Sequence, residues 1–291
     1  MRWIYLNGEL VQQEEAALSV LDRGLLYGYG LFETMRSYGG HVFRPEEHYR
    51  RLCEGAARLA MDLPLSLSDL TDAVHAVLER NEMTDAYLRL TLTAGALPSG
   101  GASGAHGDAT VVLFAGTLSE YPPALYRRGM AAVTSAVRRN ETSPLSRVKS
   151  LNYLDNLLAR EDARRRDAEE AILLNTRGFV AEGSASNVFL VREERLITPS
   201  IESGALAGIT RQAVLELASS VGLEAVQSEV ESSAFWGAAE AFLTNSVMEV
   251  MPLTRLDGRP IGSGRPGPAT KELRRLYQEM VVRETSDVRT V

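Results

Sequence analysis

Lysine is nearly absent from this chain. Only Lys149 and Lys271 are lysines among 31 cationic side chains, and the other 29 are arginines. Arginine stays charged in proteins, whereas a buried lysine can lose its proton and become a nucleophilic amine. Two interpretations stay open from composition alone. Either an arginine bias left two lysines by chance, or one position needs a primary amine to form an imine, a task for which arginine is no substitute.

Cysteine and histidine are also scarce. Because Cys53 is the only cysteine, the chain cannot form an intrachain disulfide or a cysteine-based zinc site. His48 lies five positions before Cys53, a spacing that does not align the two on one helix face, so we expect Cys53 to be a small buried filler rather than a nucleophile. The histidines follow no metal-ligand spacing, and we expect no metal. They are His41, His48, His75 and His106.

Positive charge and long apolar runs are missing as well. The net charge of −7 argues against a nucleic-acid partner or an anionic membrane surface. No uncharged apolar stretch approaches the roughly 18–20 residues that cross a bilayer, and the opening segment reaches acidic residues before any apolar run of a signal peptide. We therefore expect a cytoplasmic protein. With 45% hydrophobic residues among 291, the chain can build a substantial core.

The order of predicted elements indicates an α/β protein with mixed sheets, because strands and helices are mixed without strict alternation. Asn7-Gly8 between two apolar runs predicts a hairpin. Helices are predicted from Pro45, over about 68–81 and 153–166, from 208–210 to Gly222, and from about Pro268. Strands are predicted over 86–93, 109–116 and 130–137, at "EAILLN", "GFVAEG", "NVFLV" and "RLITP", and near 223–230 and 240–244.

Two domains are expected on this basis. The first is a small N-terminal α/β domain over 1–118, and the second is a larger domain over 130–291. A linker over 119–129 contains Pro122-Pro123, and a glycine-rich loop without lysine or arginine is predicted over 94–108.

Four places along the chain could carry chemistry. Lys149 falls in a connection before a predicted helix, where a scaffold can hold a side chain beside a cavity. Glu182 precedes the small residues of "GSAS", which let a flat ring approach the backbone, although it could equally be an ordinary solvated hairpin acid. "GIT" at 208–210 opens a helix and could bind a phosphate, or its threonine could simply be a cap. "TNS" at 244–246 ends a strand with hydroxyl and amide groups. An imine-forming amine, a carboxylate for a ring nitrogen and two phosphate-binding turns are together what pyridoxal 5′-phosphate requires.

The motifs in order resemble the fold-type IV pyridoxal-phosphate enzymes, the class-IV aminotransferase family of branched-chain aminotransferases, D-amino-acid aminotransferases and 4-amino-4-deoxychorismate lyases. The resemblance rests on "DRGLLYGYGLFETMR", "EEHYRRL", "VKSLNYLDNLLAREDA", "EAILLNTRGFVAEGSASNVFLV", "LAGITR" and "TNSVMEVMPL". It spans nearly the whole chain and implies two domains, the larger one a pseudo-barrel that binds the cofactor.

The resemblance also implies roles for individual residues. Lys149 would hold the cofactor as an internal aldimine and then shuttle the proton. Tyr153 would hydrogen-bond the phenolic oxygen, and Glu182 would keep the pyridine nitrogen protonated. The phosphate would be bound by Arg51, Ile209, Thr210 and Ser246. The substrate would be bound by Tyr27, Phe32, Tyr87, Arg89 and Val247.

Clues to the reaction conflict. Tyr87-Leu88-Arg89 resembles the carboxylate-binding pattern of branched-chain aminotransferases, but Thr34 stands where these usually have glycine. Tyr29 is unusual, since the other two branches often carry aspartate there. Asn245 is most similar to the lyases, and a loop whose one basic candidate is His106 disfavours D-amino-acid specificity.

We expect transamination between a branched-chain or broad amino donor and 2-oxoglutarate or pyruvate. Three alternatives remain. The first is a lyase that forms 4-aminobenzoate and pyruvate, the second is D-amino-acid or (R)-amine transamination, and the third is a cofactor-binding protein without turnover. The family resemblance also implies a homodimer or higher homo-oligomer with shared active sites.

Overall fold

The computed structural model describes residues 2–97, 108–118 and 121–286. Most of the glycine-rich segment predicted over 94–108, including His106, lies outside these ranges. The chain divides into two compact units. Unit 1 comprises 1–119, 148–152 and 281–291, and unit 2 comprises 120–147 and 153–280.

Unit 1 is built on a six-stranded antiparallel sheet with the order β2-β1-β6-β5-β3-β4. Its strands are β1 (Trp3–Leu6), β2 (Glu9–Gln12), β3 (Gly30–Tyr38), β4 (His41–Val42), β5 (Ala86–Thr93) and β6 (Thr110–Thr117). Its helices are α1 (Arg23–Tyr27), α2 (Pro45–Arg58) and α3 (Leu67–Arg80). β3 pairs with β5, and this pairing positions Thr34 opposite Arg89 and Glu33 opposite Leu90.

One face of this sheet packs against α2 and α3. Leu31 and Met35 on β3 join one apolar cluster with Leu52 of α2 and Leu70 of α3, and all four side chains are buried. Alternation along β3 turns Glu33 toward the same helices. Burial of these side chains is the main term that holds the helices on the sheet.

Unit 2 contains a nine-stranded mixed sheet with the order β12-β11-β10-β13-β14-β7-β8-β9, in which β15 pairs with β14. Its strands are β7 (Met130–Arg139), β8 (Glu170–Asn175), β9 (Val180–Gly183), β10 (Asn187–Arg192), β11 (Arg195–Pro199), β12 (Glu224–Ser228), β13 (Glu240–Asn245), β14 (Glu249–Leu256) and β15 (Arg259–Pro260). Three of its pairs are parallel, namely β11 with β12, β14 with β7 and β7 with β8. The helices are α4 (Pro123–Arg128), α5 (Leu154–Arg165), α6 (Ile209–Leu217) and α7 (Pro268–Ser286). Residues 281–286 of α7 belong to unit 1.

The predicted α/β class with mixed sheets is confirmed, as are the hairpin at Asn7-Gly8 and the helices that start at Pro45 and Pro268. The helix predicted to end at Gly222 is an α-helix followed by a 3-10 turn over Ala218–Val221, and Gly222 is its left-handed cap. Six of the described helices and strands were not predicted, namely α1, β3, β4, α4, β14 and β15. The segment expected to be a linker contains α4. Within the described ranges no helix is both long and apolar enough to cross a membrane.

Candidate active site

The backbone of unit 1 fixes the segment that carries Lys149. The Phe32 amide donates to the Lys149 carbonyl at 2.9 Å, and the Leu151 amide donates to the Gly30 carbonyl at 2.9 Å. A Cβ at Gly30 would lie 2.5 Å from the Leu92 carbonyl oxygen and 2.6 Å from Leu151 Cδ1, so only glycine allows this close approach. Lys149 is thus held against β3 by main-chain bonds.

Two cations lie over one aromatic ring in this unit. Lys149 Nζ is 4.4 Å from the centroid of the Phe32 ring, and Arg89 Cζ is 3.8 Å from the same centroid. Phe32 is buried, while Lys149 and Arg89 are half-buried. Attraction between cation and ring stabilises this arrangement and limits where the amine can move. The structure therefore brings together three of the predicted residues.

The other predicted substrate residues of unit 1 have different surroundings. Tyr87 is half-buried on β5, with its ring 6.2 Å from that of Phe114. Tyr27 ends α1 and is 65% exposed.

Arg51, the predicted phosphate ligand, contacts a carboxylate that sequence reasoning missed. Its Nε and Nη2 donate to the two oxygens of Glu33 at 2.9 and 2.6 Å, and His48 Nδ1 lies 2.7 Å from Glu33 Oε2. Burial alone would raise the pKa of Glu33, but the charge of Arg51 and the bonds from His48 and Arg51 outweigh it and lower that pKa to about 2. Burial lowers the pKa of His48, which favours the neutral ring.

Glu182 is a buried carboxylate in unit 2, at 6% exposure on β9. The Leu206 amide donates to its Oε2 at 2.9 Å, and Arg139 Nη2 lies 3.3 Å from its Oε1. Glu182 is therefore not the solvated hairpin acid that the sequence left open. Arg139 was not predicted, and no sequence signal pointed to it.

Tyr153 precedes α5 and donates its hydroxyl to the Ser184 carbonyl at 2.8 Å. Burial, together with the negative charges of Glu182 and Glu170, raises the pKa of Tyr153 well above its usual range, so the phenol stays protonated. Glu170 accepts from the Ser184 amide at 3.1 Å and from the Ser186 hydroxyl at 2.8 Å. It thereby fixes the small-residue loop after Glu182.

The first turn of α6 contains Ile209 and Thr210, both buried, after Gly208. The N-cap residue of α6 is Gly208, and no side chain forms a capping hydrogen bond there. Thr210 is therefore not the helix cap that the sequence left open as an alternative. Thr210 Oγ1 lies 3.5 Å from the Tyr277 hydroxyl. A helix start of this kind offers amides and a favourable dipole to an anion.

The turn after β13 contains Ser246 and Val247, both half-buried. Asn245 shapes this turn, since its Oδ1 accepts from the amides of Val247 and Met248 at 2.9 and 2.8 Å and its Nδ2 donates to the Ala185 carbonyl. Among the described residues Thr244 Oγ1 is buried without a hydrogen-bond partner. An unsatisfied buried hydroxyl is uncommon and indicates a place for another polar group.

These residues fit pyridoxal 5′-phosphate. In unit 1, Lys149 has an amine that can form an imine with an aldehyde. In unit 2, Glu182 and Tyr153 have a carboxylate and a protonated phenol, and α6 and the turn over 244–246 have amides and hydroxyls. No group of three or more histidine, cysteine, aspartate or glutamate side chains in the described part of the chain could hold a metal ion. Each unit, taken by itself, thus has groups that pyridoxal 5′-phosphate requires, and this set of groups is typical of an enzyme that acts on amino groups.

Comparison with known proteins supports this class of enzyme. Residues 30–256 match the model of the family described as amino-transferase class IV. A putative branched-chain-amino-acid aminotransferase of Methanocaldococcus jannaschii is 38% identical over 278 residues, covering 95% of this chain and 96% of the relative. The crystal structure of the branched-chain amino acid aminotransferase from Thermobaculum terrenum in its PLP (holo) form has a TM-score of 0.87 and 29% identity, covering 97% of this chain and 94% of that one.

A Bacillus subtilis (strain 168) aminodeoxychorismate lyase is 34% identical over 280 residues, 96% of this chain and 94% of the lyase. The likeness to each of these proteins extends over nearly the whole chain. The chain belongs to the class IV aminotransferase family. It is a pyridoxal-phosphate-dependent aminotransferase.

Proposed function

We propose that this enzyme moves an amino group between a branched-chain or broad-range amino acid and a 2-oxo acid, either 2-oxoglutarate or pyruvate. The observation that carries the proposal is the placement of Lys149 and Arg89 over the ring of Phe32. A guanidinium beside a reactive amine can bind the carboxylate of an amino acid whose α-carbon faces that amine. The apolar ring that both cations contact suits an aliphatic side chain. Tyr27, Tyr87 and Val247 complete the proposed substrate contacts.

The proposed chemistry assigns one task to each polar group. When bound, pyridoxal phosphate withdraws electrons from the carbon that bears the amino group and makes its proton acidic. Lys149 would hold the cofactor covalently until the amino group of the substrate displaces it, and the amine released at Nζ would then accept the proton and return it. Glu182, a buried carboxylate, stabilises a proton on the ring nitrogen. Tyr153 stays protonated and donates to an oxygen anion.

The phosphate has its own proposed set of donors. Arg51 supplies positive charge, the first-turn amides of α6 at Ile209 and Thr210 supply N–H groups, and Thr210 and Ser246 supply hydroxyls. Charge-assisted bonds of this kind are about twice as strong as neutral ones.

The reaction type is tested by giving the enzyme a donor without an acceptor. A transaminase supplied with L-leucine alone must convert its cofactor stoichiometrically into pyridoxamine 5′-phosphate, which is measured by chromatography of the extracted cofactor. Addition of 2-oxoglutarate must then restore pyridoxal phosphate and release L-glutamate. Release of 4-aminobenzoate from aminodeoxychorismate without any acceptor would establish a lyase instead. A screen over L-amino acids, D-amino acids and (R)-amines tests the donor class.

We also propose that the enzyme acts as a homodimer. A stretch of unit 1 over 18–27 exposes several large apolar side chains, which in a soluble enzyme are usually covered by another protein surface. The exposed side chains are Leu18, Val20, Leu21, Leu25, Leu26 and Tyr27. We further propose a cytoplasmic location and a division into domains at 119–129, which cell fractionation and limited proteolysis would test.

A further inference from the structure

Three polar side chains meet in the core of unit 1, where α2 packs on β3. Glu33 is 1% exposed and His48 is 2% exposed, while the side chain of Arg51 is 12% exposed. His48 and Arg51 are three residues apart on α2 and so project from one face of the helix. Gly55 suits the close approach of α2 to β3, because a Cβ there would lie 3.0 Å from Leu31 Cδ1, which is tighter than an ordinary contact.

Glu33 contacts Arg51 through two parallel bonds. Nε of Arg51 donates to Oε1 of Glu33 at 2.9 Å, and Nη2 donates to Oε2 at 2.6 Å. Such a paired contact fixes the plane of the guanidinium as well as its position. The second terminal nitrogen, Nη1, lies on the side of the guanidinium away from these two bonds, so the orientation of Glu33 decides where Nη1 points.

His48 fixes the carboxylate in turn. Its Nδ1 lies 2.7 Å from Glu33 Oε2, the oxygen that also accepts from Arg51 Nη2. Each member of the group therefore restrains the next, in the order His48, Glu33, Arg51.

Stability alone does not explain this group. A buried ion pair loses much of its electrostatic gain to desolvation, and well-packed apolar residues of the same size are often at least as stable. Binding sites, by contrast, often contain a carboxylate that does not touch the ligand itself but orients a side chain that binds it. The group also lies next in sequence to Phe32, whose ring contacts Lys149.

We propose that Glu33 is a positioning residue that holds the Arg51 guanidinium in the orientation needed to bind the cofactor's phosphate, with His48 orienting the Glu33 carboxylate. This inference rests on the proposed role of Arg51. Glu33 itself touches neither cofactor nor substrate in this scheme.

The direction in which Glu33→Gln changes the affinity for pyridoxal 5′-phosphate distinguishes a positioning role of Glu33 from a purely electrostatic one. Glu33→Gln removes a negative charge beside Arg51, so electrostatics alone would make the cationic site bind phosphate more tightly. Positioning predicts the opposite, because glutamine has one oxygen and cannot accept both parallel bonds. We expect apoenzyme carrying Glu33→Gln to bind pyridoxal 5′-phosphate about 10- to 100-fold more weakly, the loss that corresponds to a charge-assisted hydrogen bond.

The measurement compares two ligands in each variant. Equilibrium titration of apoenzyme gives the Kd for pyridoxal 5′-phosphate and for pyridoxal, which lacks the phosphate. If Glu33 acts through Arg51, Glu33→Gln lowers the preference for the phosphorylated ligand and changes pyridoxal affinity by less than about threefold. Equal weakening of both ligands, or unchanged or tighter binding of pyridoxal phosphate, would overturn the proposal.

Arg51→Met distinguishes failure of this inference from failure of the function on which it rests. Arg51→Met must itself lose the phosphate preference, and adding Glu33→Gln to it must cause no further loss. If Arg51→Met keeps the preference, the phosphate role of Arg51 and the positioning role of Glu33 both fail. If Arg51→Met loses the phosphate preference and Glu33→Gln keeps that preference, only the positioning role of Glu33 fails.

Glu240→Gln is the matched control. Glu240 is also a buried carboxylate, at 8% exposure, and accepts from the Ala269 and Thr270 amides at the start of α7. Its substitution should lower the melting temperature without changing the ratio of the two affinities. Should Glu33→Gln fail to fold, His48→Leu carries the same test, because it removes the donor to Glu33 and leaves Arg51 in place. An intermediate loss of phosphate preference is expected, and an unchanged preference would contradict the proposal.

Discussion

At the scale of single residues, the two lysines of this chain have different surroundings. Lys149 is half-buried, with its amine over the Phe32 ring and its carbonyl bonded to the Phe32 amide. Lys271 is exposed near the start of α7. Scarcity of lysine drew attention to both, and only the family motif separated them before the structure. The structure adds a physical difference, because a restrained and partly desolvated amine suits a nucleophile better than a solvated one.

Lys149→Arg should preserve the charge and abolish turnover. A guanidinium cannot form the imine or return the proton, and loss of the general acid–base step alone costs about 10²–10⁴-fold in rate. Lys271→Arg is the matched control and should keep wild-type kcat. Borohydride reduction followed by peptide mass mapping should find the cofactor on the peptide that contains Lys149. A label on Lys271, or full activity of Lys149→Arg, would refute the role.

The Glu33 and His48 pair predicts how stability depends on pH. The pKa of Glu33 is lowered from 4.5 to about 2 in the folded state, so its contribution is complete above about 4.5 and is lost as the pH falls toward 2. The pKa of His48 is lowered from 6.5 by burial, so the unfolded chain binds that proton first and stability decreases as the pH falls below 6.5. Both effects destabilise the fold in acid.

Urea unfolding between pH 4 and pH 8 checks this expectation. The free energy of unfolding should decrease from pH 7 to pH 5, and His48→Gln should flatten that decrease, since glutamine does not titrate. A wild-type curve that rises toward pH 5 would show that His48 is charged in the folded protein.

At the scale of secondary structure, the predictable elements are those whose local signals agree with their burial. Pro45 opens α2, and Ser66 with Asp69 forms a capping box before α3. β3 was not predicted because polar and apolar residues both occupy its core-facing positions. Glu33 and Ser37 are polar yet buried on the core side, Glu33 against Arg51 and Ser37 as acceptor of the Ala86 amide. A strand with polar side chains on its buried face lacks the regular alternation of apolar and polar residues by which strands are predicted.

The start of α6 offers a test of backbone geometry. Gly208 has φ −71° and ψ 140°, which alanine adopts easily, but a Cβ there would lie 2.1 Å from Asn187 Oδ1. Asn187 Nδ2 donates to the Leu206 carbonyl at 2.8 Å, and Leu206 in turn donates its amide to Glu182. Gly208→Ala should therefore displace the loop between Asn187 and α6.

We expect Gly208→Ala to lower the free energy of unfolding by about 1–3 kcal/mol, the usual cost of overpacking, and to weaken pyridoxal-phosphate binding. Gly237→Ala is the control, because a Cβ there has no neighbour closer than 3.7 Å. Chemical denaturation and cofactor titration measure the two effects. Wild-type values for both in Gly208→Ala would mean that α6 does not need this close approach.

At the scale of the whole molecule, sequence order and spatial grouping differ. Residues 148–152 follow β7 in the chain, within the domain predicted over 130–291, yet their backbone bonds to Gly30 and Phe32 place them in unit 1. Such bonds depend on tertiary pairing, which local propensity does not encode. The proposed cofactor residues could be predicted because their motifs have fixed spacing. The Glu33, His48 and Arg139 contacts could not, since each joins residues brought together by the fold alone.

The exposed apolar stretch over 18–27 predicts self-association. Leu25 is 70% exposed, and a charge at that position would have to be desolvated at a dimer interface, which is costly without a partner. We expect wild-type enzyme to have about twice the chain mass of 31.8 kDa by light scattering and Leu25→Glu to shift toward the monomer. Val282→Glu is the control, because Val282 is 63% exposed on α7 between a buried valine and an arginine. A monomeric wild type, or a Leu25→Glu protein that remains dimeric at low micromolar concentration, would place the subunit contact elsewhere or remove it.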